Sequence, residues 1–146
     1  MRWLLVLALL LAGCGPSDGG RYAVDEAVRA SDAAVAGVLH RLAIALRLDA
    51  PTGARSFAIC GDALAPRGVV VRTLLRFPAP SGIPPERTAA VLRADGWAAG
   101  RKGVLTLRVD DAGDAVQVSL VSDCVATSRE VARRYDERPP AEVGWS

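Results

Sequence analysis

The stretch Val69-Val70-Val71-Arg72-Thr73-Leu74-Leu75-Arg76-Phe77 decides the fold class of this chain. In an extended backbone Val69, Val71, Thr73, Leu75 and Phe77 share one side, while Arg72 and Arg76 share the other. That alternation predicts a strand in a sheet with one covered face and one wet face. Upstream, Arg55–Cys60 reads as a shorter strand with Phe57 and Ile59 on one face, joined through a loop over Gly61–Gly68. Downstream, Val104–Val109 and Ala115–Ser122 alternate in the same way. Asp110-Asp111-Ala112-Gly113-Asp114 between them predicts a hairpin turn, with Leu105, Leu107 and Val109 facing Val116, Val118 and Leu120 as the core sets.

Helical periodicity surrounds these strands. Val24, Val28, Ser31, Val35, Val38, Leu42 and Ala45 recur at steps of four and three, which predicts one amphipathic helix over Val24–Leu48. Asp25 and Glu26 sit in its first turn, and Asp25 with Arg29 forms an i, i+4 pair. Asp49-Ala50-Pro51-Thr52-Gly53 ends it. Ser31 and Ala45 on the stripe argue for packing on a core rather than for a coiled coil. His40 lies off the stripe and reads as a surface residue. Pro78–Gly82 is a rigid connector, and Pro84 and Pro85 suit the first turn of a second helix running to about Asp95. Gly96 fits a left-handed position just past its end, which directs Trp97 back onto Leu92 as a core anchor. Thr127 or Ser128 can cap a short third helix ending at Tyr135. From Asp136 onward the chain is polar and Pro-rich and is expected to fray.

The first fourteen residues, MRWLLVLALLLAGC, carry a charged start, an apolar run too short to span a bilayer, and a small residue directly before Cys14. That order is a secretory signal. Leu11-Ala12-Gly13-Cys14 resembles the lipobox of bacterial lipoproteins. Arginine in preference to lysine, with abundant alanine and glycine, is similar in composition to small actinobacterial lipoproteins. The resemblance implies transfer of a diacylglyceryl group to Cys14 and cleavage before it. It also implies attachment to the outer side of the cell membrane. The expected division is therefore a signal over 1–13, a lipidated Cys14 and flexible linker over 14–21, a single domain over 22–135, and a flexible tail over 136–146.

The chain has 18 Lys+Arg against 16 Asp+Glu. So balanced a charge provides no general drive toward nucleic acid or an anionic surface. Nucleic-acid binding is further disfavoured by the extracytoplasmic compartment that the signal implies. Cys60 and Cys124 remain once Cys14 is assigned to lipid. Two cysteines in an exported domain predict a disulfide. A bridge needs Cα atoms within about 7 Å. With four strands numbered along the chain, that requirement favours the sheet order 2-1-4-3, strands one and four adjacent and parallel. The fold class is then α+β, helix-strand-strand-helix-strand-strand. It has one four-stranded sheet, two long helices on one face and a short C-terminal helix.

Chemistry is sparse. Asp62, Asp110, Asp111, Asp114 and Asp123 lie in loops beside strands, where aspartates commonly form turns. A hydrolase using such carboxylates is the enzymatic alternative. Asp110, Asp111 and Asp114 match no complete calcium loop, and no phosphate loop or dinucleotide fingerprint occurs. No metal or cofactor is expected. Arg129, Arg133, Arg134 and Arg138 could touch anionic lipid, but interleaved Glu130, Asp136 and Glu137 read as a solvated helix. The expectation is a non-enzymatic, membrane-anchored binding or accessory module of the cell envelope. It would take a protein partner or a small ligand on the open sheet face or in a cleft beside it.

Overall fold

The structure, a computed structural model, describes residues 18–78 and 83–145. The signal, Cys14 and the start of the linker lie outside the described residues. The fold is a mixed α+β domain built on a seven-stranded sheet. The strands are β1 (Thr52–Gly61), β2 (Pro66–Pro78), β3 (Arg101–Lys102), β4 (Leu105–Asp111), β5 (Ala115–Ser122), β6 (Val125–Ala126) and β7 (Ala141–Glu142). Their spatial order is β3-β4-β5-β2-β1-β7, with β6 pairing β2 beside this path, and every pairing is antiparallel.

The central strand is β2, and its alternation is the one read from the sequence. Val69, Val71, Thr73, Leu75 and Phe77 are buried while Arg72, Leu74 and Arg76 are exposed. The expected strand order fails. The last long strand, β5, pairs with β2 (Leu75 opposite Val118), not with β1. The physical reason is β6, which follows β5 after a two-residue step. It folds back onto the start of β2, with Val69 opposite Val125, and carries Cys124 toward β1 without β5 having to lie there. Cys60 and Cys124 are bonded, with Cα atoms 5.9 Å apart. Gly68 lies between the two segments, opposite both Cys60 and Ala126. A Cβ at Gly68 would overlap the Val125 carbonyl oxygen, so glycine lets the two segments close around it.

The helical run starts earlier than its apolar stripe. Helix α1 spans Arg21–Ala34, a π-turn spans Val35–Leu39, and α2 spans His40–Leu46. Asp18 starts it by accepting from the N–H groups of Gly20 (2.9 Å) and Tyr22 (2.7 Å). These backbone bonds hold the Asp18 carboxyl below the usual carboxylate range. The segment just before the helix is therefore packed: the Ser128 N–H donates to the Gly19 carbonyl at 2.8 Å. The π-turn inserts a residue and rotates the buried face. Up to Val38 the predicted stripe is largely the buried set, but beyond it Leu39, Leu42 and Ala43 are buried and Ala45 is exposed. Ser31 is the one polar residue of the stripe, and its hydroxyl meets that of Thr73 at 2.8 Å in the core. Arg29 pairs with Glu26 rather than with Asp25. Asp25 instead accepts from the Tyr135 hydroxyl at 3.2 Å.

Helix α3 (Pro85–Ala94) has no buried residue and packs on α2. Its end follows the expected geometry. Gly96 has φ 82° and the Trp97 N–H donates to the Leu92 carbonyl at 2.9 Å. Helix α4 (Arg129–Asp136) is capped by the Ser128 hydroxyl, which accepts from the Val131 N–H. Val131 and Tyr135 pack on Val69 and Val71.

The segment after Asp136 does not fray. Ala141 and Glu142 pair with Arg55 and Ala54 as the edge strand β7. Trp145 then meets Phe77 edge-on at 5.3 Å and His40 at 5.6 Å between ring centroids. Two prolines precede β7, and proline favours extended backbone. The strand also covers an edge of β1 that would otherwise offer unpaired N–H and C=O groups.

Candidate functional site

The face of α1 that turns toward β4 and β6 carries Ala23, Ala27, Ala30, Ala34 and, on the π-turn, Gly37. Side chains this small cannot fill the space between a helix and a neighbouring strand. Two cavities result, and they share Ala30. One, of about 490 Å³, lies between the first half of α1 and the segment from Asp123 to Val125, with Val104 on its rim. The other, of about 280 Å³, runs on between Ala30, Ala34, Gly37, Trp97, Lys102 and Leu105. Together they form an apolar groove along the helix. The sequence signal for it was the run of alanines beside the valine stripe, which core periodicity alone does not single out.

Each end of the groove carries a polar group held by an ion pair. At the Trp97 end, Asp95 accepts from the indole Nε1–H at 2.9 Å and pairs with Arg41 of α2. Lys102, the sole lysine of the chain, donates to the Asp95 carbonyl at 2.7 Å. Asp95 thereby ties the end of α3 to α2 and to β3, a role that sequence reasoning missed. At the other end Asp123 receives Arg101 through both carboxylate oxygens, at 3.0 and 2.6 Å. This pairing holds the Arg101 guanidinium above its ordinary range, chiefly through the hydrogen bond and then through the Asp123 charge. Trp97 is itself 3% exposed and belongs to the main core with Leu105, Leu107 and Val118. It forms a wall of the groove rather than an open stacking platform.

The structure does not bring the loop carboxylates together. Asp62 accepts from the Leu64 N–H at 2.8 Å in the β1–β2 turn. Asp111 accepts from the Gly113 N–H in the β4–β5 turn, and Asp114 of that turn pairs with Arg76. Asp123 lies at the other end of those strands. Among the described residues no three His, Cys, Asp or Glu side chains group to hold a metal ion. His40 is exposed, and its contact is with Trp145.

The arginines of α4 and of the residues just after it separate by role. Arg134 pairs with Glu130, and Arg138 lies over the Tyr135 ring at 4.1 Å. Burial, and then the Asp25 charge, pushes the Tyr135 hydroxyl above its ordinary value. Arg129 and Arg133 stay exposed. The open face of the sheet is mixed: exposed Leu74 stands between Arg72 and Arg76 on β2, opposite Ala54 of β1 and Ser119 of β5. No protein-family model, curated protein or solved structure matches the chain.

Proposed function

We propose that the protein is a lipid-anchored module on the outer side of a bacterial cell membrane, where it holds an apolar or amphiphilic small molecule in the groove beside α1. The binding role rests on one observation: two apolar cavities on one face of α1 that share Ala30 in their walls, one of them lined also by Trp97 and the sole lysine. A concave, mostly apolar lining with few fixed polar groups is the chemistry of a ligand site. Of the aspartates that an enzymatic reading needs, Asp62 and Asp111 are engaged as turn formers and Asp114 and Asp123 as ion-pair partners. The anchoring role rests on MRWLLVLALLLAGC, a short apolar run that ends in a small residue and a cysteine.

Two experiments test the two halves. Cys14→Ser is expected to abolish incorporation of a fatty-acid label and to leave the signal attached. Unchanged labelling in that variant refutes the anchor. For the groove, the probe is anilinonaphthalene sulfonate, followed by fluorescence. Ala30→Phe places a ring where the cavities meet and is expected to weaken uptake by about tenfold or more, a loss on the order of 1.4 kcal/mol. The denaturation midpoint should stay near that of the parent, because the ring enters existing space. Undiminished uptake by a folded Ala30→Phe protein overturns the ligand site.

A further inference from the structure

One end of the domain gathers features that the groove does not use. The residues next to the segment Gly15–Ser17, which lead back to Cys14, pack there: Gly19 against Ser128, and Gly20 against Ala126 and Thr127. The Thr127 N–H donates to the Arg67 carbonyl at 3.4 Å, which places the start of β2 in the same row. The β1–β2 turn, Asp62–Ala65, projects from that row, and its Leu64 is 82% exposed. Tyr22, in the first turn of α1, is 65% exposed. Arg21, Arg67 and Arg129 are exposed at this end and form no ion pair among the described residues. Of the acids at the same end, Asp18 and Asp62 accept from backbone N–H groups, and Glu130 is paired with Arg134.

From these placements we infer that this end is a membrane-contact surface: Leu64 enters the interface of an anionic phospholipid bilayer while Arg21, Arg67 and Arg129 meet its phosphates. The inference rests on the lipidation of Cys14 proposed above for its geometry. Four residue steps separate Cys14 from Asp18, and a fully extended chain of that length spans at most about 14 Å. An anchor so short holds the end that carries Asp18 against the headgroups. That end also bears the most exposed large hydrophobic side chain of the described residues, together with a tyrosine and three arginines that form no ion pair among them. Tyrosine suits the headgroup level, where its ring and hydroxyl meet different surroundings. Arginines near an anionic leaflet are drawn to it, each strengthening association by about fivefold.

The test uses the full chain carrying a nitrobenzoxadiazole label at Leu64→Cys or, at the opposite end of the sheet, at Ala112→Cys. It is reconstituted in phosphatidylglycerol or in phosphatidylcholine vesicles. With phosphatidylglycerol the label at 64 is expected to shift to shorter wavelength and to resist an aqueous quencher, while the label at 112 does neither. Adding Arg67→Glu and Arg129→Glu should abolish the shift at 64. A label at 64 that stays in water on an acylated chain overturns the contact. Equal shifts on both lipids overturn the role of the arginines. Intact mass reports acylation separately, so loss of the anchor is distinguished from loss of the contact. In an unacylated chain the same label, read against added vesicles, decides whether position 64 and the arginines reach the bilayer without the anchor.

Discussion

Replacing Trp97 by alanine is expected to lower stability by about 3–5 kcal/mol, the range for truncating a buried aromatic residue. The indole is 3% exposed, and its ring is part of the core formed by Leu105, Leu107 and Val118. Its Nε1–H donates to Asp95, which also holds Arg41 and Lys102. The substitution therefore opens a cavity beside the groove and removes one of the contacts that orient Asp95. Trp97→Phe keeps most of the volume and should lose less, with the missing N–H as the residue of the effect. A denaturant melt measures both. A shift under about 1 kcal/mol for Trp97→Ala, the scale of surface changes, refutes the core role and makes Trp97 a ligand contact instead.

Removing the Cys60–Cys124 bond is expected to cost about 2–5 kcal/mol. The two residues are 64 apart in sequence, so the bond closes a long loop of the unfolded chain. Peptide mapping without reductant should recover the bridged pair, and two alkylatable thiols would sink the assignment. A second variant reads the local geometry. Gly68→Ala introduces a Cβ where the Val125 carbonyl stands. With Cys124 bonded next door that carbonyl has little room to retreat. The cost of Gly68→Ala should therefore fall when Cys124→Ser is also present, a coupling that a double-mutant cycle measures. Strict additivity of the two changes would show that Gly68 and the bond are independent.

The legible parts of this protein are those in which neighbouring residues constrain one another. The alternation of Val69–Phe77 depends on a period of two, and β2 carries it unchanged. The Gly96-Trp97 stop depends on a backbone angle that glycine reaches without strain, and it forms with Trp97 folded onto Leu92. The Ser128 cap and the Asp110–Asp114 turn are of the same local kind. The misread parts depend on partners remote in sequence. Ala45 falls on the predicted stripe yet is exposed, because a π-turn has no marker in an alanine-rich run. The prolines of the tail predict fraying, yet two residues that find an edge of β1, and one tryptophan that finds Phe77, are enough to dock it. The candidate groove was hidden for a related reason. Alanines report a helix well, but whether the space beside them is filled depends on strands about seventy or more residues away.

By itself, the sequence determined the four long strands, the α+β class and the pairing of the two cysteines, because helix and strand periods, caps and turns are local and a two-cysteine domain has one intramolecular bridge to make; the two-residue strands β3, β6 and β7, which bring the sheet from the expected four strands to seven, carry no such period. Only the tertiary structure decided the order of the strands, the docking of the C-terminal segment and the groove along α1. The disulfide requirement of a short Cα distance was compatible with more than one sheet, and a two-residue strand, Val125–Ala126, selected among them by crossing at a glycine.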